Sequence, residues 1–256
     1  MRETIVKMLR NIERQHHIRI LYAVESGSRA WGFASADSDY DVRYIYIRPA
    51  EDYLRVDPLR DTIEGPLDDV MDFSGWDLRK ALFLLRKTNP SLMEWAQSPI
   101  VYITTPQWER LYAQFGGYFS PLSNMHHYMS MVKSHWLKYI QGDQVKLKRY
   151  LYVLRPLLCC RWLLRYGTVP PVPFDRLCQA VLPQEMEAAV QDLLRRKKAA
   201  GEAELADHIP ELDAFILQEI PQINQAISAM ESAEPPGYEG LNRMFLEALR
   251  ETRWDT

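Results

Sequence analysis

Apolar residues along the first part of the chain alternate between helical and strand spacing. Apolar positions three and four apart predict a helix over residues 2–15. A second helix is predicted over 76–86, ending before Pro90, because the residue that precedes a proline disfavours helix. Stretches rich in β-branched and aromatic residues predict strands at 18–24, 40–47, 70–73 and 100–103.

From about residue 106 onward the apolar pattern is helical almost throughout. Prolines, glycines and polar residues divide it into predicted helices near 106–115, 121–141, 146–166, 184–200, 209–230 and 239–252. We therefore predict an α+β fold, in which a catalytic domain over residues 1–105 contains a small mixed sheet with flanking helices. An all-helical domain over residues 106–256 is expected to pack on the active site.

The composition is that of an ordinary globular protein. Hydrophobic residues make up 47% and charged residues 25% of the 256 positions, which excludes collagen-like, disordered and disulfide-scaffold proteins. The formal net charge is −3. Because a protein that binds a polyanion over its whole surface is expected to be basic, any contact with nucleic acid is predicted to be local.

The cysteines and the apolar stretches predict a cytoplasmic protein. The chain has three cysteines, Cys159, Cys160 and Cys178. The first two are adjacent in an apolar helical stretch and point to different faces, so we expect buried, reduced thiols. No apolar stretch approaches the ~18 residues of a membrane span. The chain opens on an amphipathic, charged segment instead of a signal peptide.

A glycine–serine turn and two aspartates form the candidate site. Asp39 and Asp41 are two residues apart at the head of the second predicted strand, where alternation places both carboxylates on one face. Two neighbouring carboxylates repel each other unless a cation lies between them, and hard oxygen ligands suit Mg²⁺. Upstream, Gly27 allows the backbone to approach a phosphate, and Ser28 adds a hydroxyl donor. Metal-binding carboxylates and a phosphate-binding turn together are what phosphoryl transfer needs.

Other interpretations of the same segments are weaker. A lone Asp-x-Asp pair is more often a solvated turn, but the nearby glycine–serine turn favours a site. Gly27 and Gly32 have P-loop spacing, yet Phe33 and Ala34 stand where that motif needs Lys and Ser or Thr. The chain has no Cys-x-x-Cys or His-Glu-x-x-His motif for zinc. The basic run at 195–198 could contact RNA, although such runs are more often solvated helix ends.

The site motif resembles a known signature. Gly27-Ser28, a spacer, and then Asp39-Tyr40-Asp41-Val42 resemble the signature of nucleotidyltransferases of the DNA polymerase β superfamily. The wider sequence resembles a bacterial branch of predicted nucleotidyltransferases, the RNA repair pathway DNA polymerase beta family. The matching segments are 25–33, 38–43, 76–80, 89–90, 94–95 and 152–156. The resemblance covers roughly residues 20–165.

This resemblance implies a metal centre with three carboxylates. Asp39 and Asp41 would bind two Mg²⁺ ions, for which Mn²⁺ could substitute. The third carboxylate of the superfamily lies on a later strand, and Asp72 is the candidate because apolar residues flank it. Its rivals are Asp68, Asp69 and Asp77. Asp77 is expected one turn into the following helix.

The resemblance also implies contacts with a nucleoside triphosphate. Gly27 and Ser28 would hold the β- and γ-phosphates. Arg29, Arg43 and Lys80 are candidates for further phosphate contacts. For each of these three basic residues, a surface or structural ion pair is an equally good interpretation.

A predicted helix in the second region could also contribute to nucleotide binding. Lys148, Tyr152 and Arg155 are spaced four and three residues apart, so they share one helix face. In related enzymes a basic and aromatic helix face closes over the nucleotide. An amphipathic helix with its polar side in water is the equal alternative.

The activity implied is transfer of a nucleoside monophosphate from a nucleoside triphosphate to a hydroxyl acceptor. The family name points to an RNA end as that acceptor. A small molecule or a protein side chain is the second possibility, and a catalytically silent nucleotide-binding regulator is the third. The joint presence of Gly27, Ser28, Asp39 and Asp41 argues against a silent protein.

Overall fold

The computed structural model describes residues 1–65, 70–199 and 205–254. Their internal contacts divide the chain into two compact units, neither of which is continuous in sequence. The first unit comprises Met1–Ala30, Asp39–Phe119 and Glu234–Thr256, and the second comprises Trp31–Ser38 and Ser120–Ala233. This division differs from the boundary predicted after residue 105, because two helices beyond that point pack within the sheet-containing unit.

The first unit is built on a mixed sheet, as predicted, but this sheet has five strands where the sequence predicted four. Its strands are β1 (Arg19–Glu25), β2 (Tyr40–Ile47), β3 (Thr62–Glu64), β4 (Met71–Asp77) and β5 (Val101–Thr104). In space they follow the order β3-β4-β2-β1-β5. Strands β2 and β4 run parallel, and every other neighbouring pair is antiparallel.

Helices surround this sheet. They are α1 (Arg2–His16), α2 (Gly27–Trp31), α3 (Ala50–Tyr53), α4 (Leu78–Arg86), α5 (Pro90–Ala96), α6 (Pro106–Tyr112) and, near the end of the chain, α12 (Glu239–Glu251). One apolar core joins Ile5 and Leu9 of α1 to Val42, Tyr44 and Phe73 of the sheet. Because each such fully buried side chain contributes about 1.5–3 kcal/mol, this core fixes the central strands that carry the candidate site.

The second unit is mostly helical; most of its helices were predicted, but two short strands lie in this part of the chain, which was predicted to be all-helical. Its elements are α7 (Pro121–Tyr139), α8 (Leu147–Tyr166), α9 (Phe174–Val181), α10 (Glu187–Ala199), α11 (Pro210–Ser228) and the short antiparallel strands β6 (Gln144–Lys146) and β7 (Leu205–Asp207). Cys159 and Cys160 are buried in α8 without a disulfide bond, as expected, and Cys178 is half-buried. Within the described residues, no helix is long and apolar enough to cross a bilayer.

Some local predictions were wrong. The stretch at Gly27 is a short helix, not an open turn, and Pro90 starts a helix where only a stop was predicted. Asp77 ends β4 and caps α4, so it does not lie one turn into that helix. Its carboxylate accepts a hydrogen bond from the Arg79 amide, because the first amides of a helix lack partners within the helix.

The buried Asp77 carboxyl gives the protein a pH-dependent contribution to stability. Its side chain is 5% exposed and accepts a second hydrogen bond from the Tyr53 hydroxyl at 2.9 Å. Burial raises the pKa of this carboxyl, despite its donors. The folded state therefore binds the proton more tightly than the unfolded chain does. Stability falls as pH rises from the unfolded pKa of about 3.9 through the raised folded pKa.

Asp77→Asn should remove this pH dependence while keeping a good helix cap. Its free energy of unfolding relative to wild type is expected to be higher at pH 7 than at pH 3.5. Asp77→Ala loses the cap and should cost about 1 kcal/mol. Denaturant unfolding at the two pH values measures both effects. If the difference in free energy of unfolding between wild type and Asp77→Asn is the same at both pH values, the Asp77 carboxyl does not titrate as described.

Candidate active site

The glycine of the motif lies directly against an aspartate of β2. Antiparallel pairing brings Glu25, the last residue of β1, opposite Val42, and the Ser26 amide donates to the Asp41 carbonyl at 2.8 Å. Gly27 follows with φ +58°, in the left-handed region. A Cβ at Gly27 would overlap Oδ2 of Asp41. Both the backbone angle and the close contact with the Asp41 carboxylate therefore favour glycine here.

The buried carboxylate of Glu25 fixes the backbone at this point. Glu25 is 1% exposed, and its side chain accepts hydrogen bonds from the Asp41 amide at 2.8 Å and from the hydroxyl of Tyr102 on β5. Burial raises the pKa of Glu25, and the two donors oppose that rise. Because the carboxylate joins β1, β2 and β5, it orients Asp41. Sequence reasoning missed this role, since a single glutamate at a strand end carries no motif.

Asp41 and Asp72 are neighbours on adjacent strands. The parallel ladder between β2 and β4 pairs Asp41 with Asp72 directly. The Arg43 guanidinium lies between them and donates to Asp41 Oδ1 at 2.9 Å and to Asp72 Oδ2 at 2.7 Å. Burial raises the pKa of Asp41; the Arg43 charge opposes this, and the charges of Asp72 and Asp39 add to it. The Asp41 and Asp72 carboxylates thus share the guanidinium of Arg43 as their positively charged partner.

Asp39 lies just before β2 and is exposed. Its carbonyl accepts a hydrogen bond from Arg29 Nε at 3.0 Å, and the Arg29 guanidinium stacks 3.7 Å from the centre of the Tyr40 ring. The structure therefore gives Arg29 a part in holding the segment at Asp39 and Tyr40.

The acidic pair fits a hard divalent cation, but a three-ligand group is not assembled. In the described residues, no three His, Cys, Asp or Glu side chains converge closely enough to hold a metal ion. Asp41 and Asp72 nevertheless share a positive group already, and carboxylate oxygens are the ligands that Mg²⁺ prefers. These two residues are therefore the ones best placed to bind a metal, with Asp39 as the exposed third candidate.

Comparison with known proteins places this sequence in a family. The sequence model of the RNA repair pathway DNA polymerase beta family (RlaP) matches residues 1–247. The chain belongs to this family. Membership supports nucleotidyl transfer as the general activity, and the match extends well past the region where the motifs resemble the family.

Two individual proteins resemble this family member. The uncharacterized protein YcgL of Bacillus subtilis (strain 168) is 41% identical over 256 residues, covering 98% of this chain and 97% of that protein. The crystal structure of a nucleotidyltransferase-like protein from Exiguobacterium sibiricum 255-15 is 12% identical, covers 97% of this chain and 80% of its own, and gives a TM-score of 0.33. A TM-score this low does not establish a common fold, so the family assignment rests on sequence.

The structure places Lys80 and Asp77 away from the acidic pair of this RlaP family member. Lys80 Nζ donates to Asp61 at 2.9 Å and to the Thr62 hydroxyl at 2.7 Å, which is the structural ion pair left open by the sequence. Asp72 lies near the start of β4 and Asp77 at its end. At ~3.3 Å per residue, roughly 16 Å of strand separates them. Asp68 and Asp69 lie outside the described residues.

The helix-face candidates in α8 form part of an aromatic cluster in the second unit. Arg155 is 3% exposed, stacks 4.5 Å from the centre of the Trp31 ring and donates to the Val172 carbonyl at 3.3 Å. Tyr152 is half-buried beside Trp31, and Lys148 is also half-buried. The alternative of a polar face in water is therefore wrong for Arg155. Nucleotide binding by Lys148, Tyr152 and Arg155 stays a prediction.

Proposed function

We propose that this RlaP family member is a Mg²⁺-dependent nucleotidyltransferase that moves a nucleoside monophosphate from a nucleoside triphosphate to a hydroxyl at an RNA end. One observation supports this above the others. Gly27 is packed so closely against Asp41 that a Cβ would overlap its carboxylate, and Asp41 stands in register with Asp72. The phosphate-binding half and the acidic half of the motif therefore meet at one place.

Each residue of this site has a proposed role. Asp41 and Asp72, with Asp39, would hold Mg²⁺, which when bound neutralises charge that develops on the phosphates. The backbone at Gly27 and the Ser28 hydroxyl would hold the β- and γ-phosphates. Arg43 balances the charge of the acidic pair, and the Arg29 guanidinium is the nearest candidate for a further phosphate contact.

The proposed reaction is an in-line substitution at the α-phosphorus. The acceptor hydroxyl oxygen forms a bond to that phosphorus, and the bond from the phosphorus to the pyrophosphate oxygen breaks. The hydroxyl loses its proton to a carboxylate, for which Asp72 is proposed because its side chain is 44% exposed beside the more buried Asp41. Pyrophosphate leaves with the electron pair of the broken bond.

A specific observation favours a second candidate function, that of a nucleotide-binding regulator without transfer activity. Arg43 already binds both Asp41 and Asp72, and the described residues contain no three-ligand group for a metal. If Arg43 keeps this position when a triphosphate binds, the site would hold the nucleotide without activating it.

Transfer of a radiolabelled α-phosphate separates these functions. The full chain is incubated with each α-labelled triphosphate and Mg²⁺, together with RNA whose 3′ ends are either free or blocked by a 3′-phosphate. Label on free-ended RNA alone supports the proposed function. Label on blocked RNA, on metabolites or on protein would instead identify a different acceptor. Triphosphate binding without transfer to any of these would favour the regulator.

A further inference from the structure

Aromatic side chains of the second unit form a row across α7 and α8. The Tyr152 ring lies edge-on to Trp31 with 5.5 Å between centroids, and nearly parallel to His135 with 5.7 Å between centroids. The His135 ring lies 5.5 Å from that of Tyr139, one helical turn further along α7. All four residues are half-buried, so each presents part of its surface to solvent.

Two cations lie at the Tyr139 end of this row. Arg149 lies 3.7 Å and Lys138 Nζ 5.1 Å from the centre of the Tyr139 ring. A hydrogen bond from Lys138 and the charges of both cations lower the pKa of Tyr139. Burial, and then the charges of Arg149 and Lys138, lower the pKa of His135. The contributions of Lys138 and Arg149 to both shifts indicate a positive local potential.

No carboxylate pairs directly with these two cations in the described part of the chain. There, neither Lys138 nor Arg149 forms a salt bridge. The basic run at 195–198 differs in this respect, because Arg195 and Arg196 both pair with Asp192. Positive charge beside exposed rings therefore marks the row, and not the basic run, as a surface for a ligand that is both anionic and aromatic.

We propose that this aromatic–basic row, formed by Trp31, Tyr152, His135 and Tyr139 with Lys138 and Arg149, binds single-stranded nucleic acid. Unpaired bases can stack on half-exposed rings while cations hold the phosphates, and a duplex hides the faces of its bases. A local surface of this kind also fits a protein whose net charge is −3. The inference rests on the proposed function only in that the bound strand would be the acceptor.

Fluorescence anisotropy with the full chain tests this proposal without any triphosphate. The probe is a labelled single-stranded RNA of mixed sequence, about 12 nucleotides long, and the same sequence as a duplex is compared. Tyr139→Leu removes a stacking surface and should weaken single-strand binding about tenfold. Tyr139→Phe keeps the ring and should bind like wild type, which guards against an effect on folding.

A charge-matched pair of double variants tests the role of the cations. Lys138→Ala/Arg149→Ala should weaken binding and lower the slope of log K against log salt by about 1.4, at about 0.7 for each lost phosphate contact on a single strand. Arg195→Ala/Lys198→Ala removes the same charge from exposed positions in the same unit and should bind within about twofold of wild type.

Four results would overturn the proposal. The first is that the wild type does not bind the strand, and the second is that the two double variants weaken strand binding equally. The third is that Tyr139→Leu binds the strand with wild-type affinity. The fourth is that poly-glutamate displaces the strand more readily than unlabelled RNA does. The last would identify an acidic protein segment as the ligand. Strand binding is measured without a triphosphate, so a wild type that binds the strand but transfers no nucleotide would count against the proposed function alone.

Discussion

Asp41→Asn is expected to lower kcat for nucleotidyl transfer about a thousandfold while the protein stays folded. The substitution removes one of the two charges that meet across the β2–β4 ladder. A metal ion held by such carboxylates stabilises developing charge by several kcal/mol, and each 1.36 kcal/mol corresponds to a factor of ten in rate. Single-turnover transfer at saturating triphosphate and Mg²⁺ measures the effect on the chemical step.

The same variant should not be less stable at neutral pH. Burial raises the pKa of Asp41, so ionisation of this carboxyl disfavours the folded state. Stability therefore falls as the pH rises from the pKa of Asp41 in the unfolded chain to its pKa in the folded protein. Asparagine removes that penalty. Asp57→Asn is the control, since Asp57 is 75% exposed and pairs with Arg55 outside the site. Undiminished transfer by Asp41→Asn would exclude Asp41 from the chemistry.

Gly27→Ala is expected to lower transfer about a hundredfold. The added methyl group would overlap Asp41 Oδ2, so the carboxylate has to move away from its position beside Asp72. A displacement of about 1 Å in a catalytic group can cost about a hundredfold in rate. The left-handed backbone at Gly27 adds about 1–2 kcal/mol of strain, which thermal unfolding would record separately.

Gly167→Ala isolates the contribution of the Asp41 contact. Gly167 ends α8 with φ +64°, close to the angle of Gly27, but a Cβ there meets no atom within 4 Å. The two alanine variants should therefore lose similar stability, and only Gly27→Ala should lose activity. Equal losses of transfer would attribute the effect to backbone strain and not to the crowding of Asp41.

The sequence predicted most accurately those elements in which buried positions form an uninterrupted stretch of apolar residues. Strand β2 has the predicted bounds, Tyr40–Ile47, because its second half is wholly buried and reads as an uninterrupted apolar stretch. Strand β4 is longer than predicted because Ser74 and Gly75 interrupt the apolar pattern in its middle. Strand β3 has only three residues, too few for any periodicity to appear.

Helix α5 shows how one signal can support two conclusions. Asn89-Pro90 correctly marks the end of one helix, and it also begins the next, since Asn89 Oδ1 accepts from the Leu92 amide at 3.1 Å. Proline is favoured in the first turn of a helix for the same reason that it stops one, because it has no amide to donate. Sequence reasoning recognised the stop and missed the start.

The sequence predicted the individual residues of the candidate site but not the hydrogen bonds that join them. The spacing of the motif indicated Gly27, Asp39 and Asp41, and the structure places Asp72 beside Asp41. The link through Arg43 depends on the parallel register between two strands that are far apart in sequence. No local pattern encodes that register, and the same is true of the Glu25 bond to the Asp41 amide.

The route of the chain between the two halves of the motif constrains how this protein can be divided. After Ala30 the chain belongs to the second unit for residues 31–38, and it returns to the first unit at Asp39. Within the second unit, Lys197, which is 4% exposed, donates hydrogen bonds to the Phe33 carbonyl and the Ser35 hydroxyl, both at 2.9 Å. A fragment that ends at Phe119 would contain residues 31–38 without Lys197, and it would also lack α12. The smallest fragment expected to support the proposed activity is therefore the chain with both units, and homologues should tolerate little change in the length of this spacer.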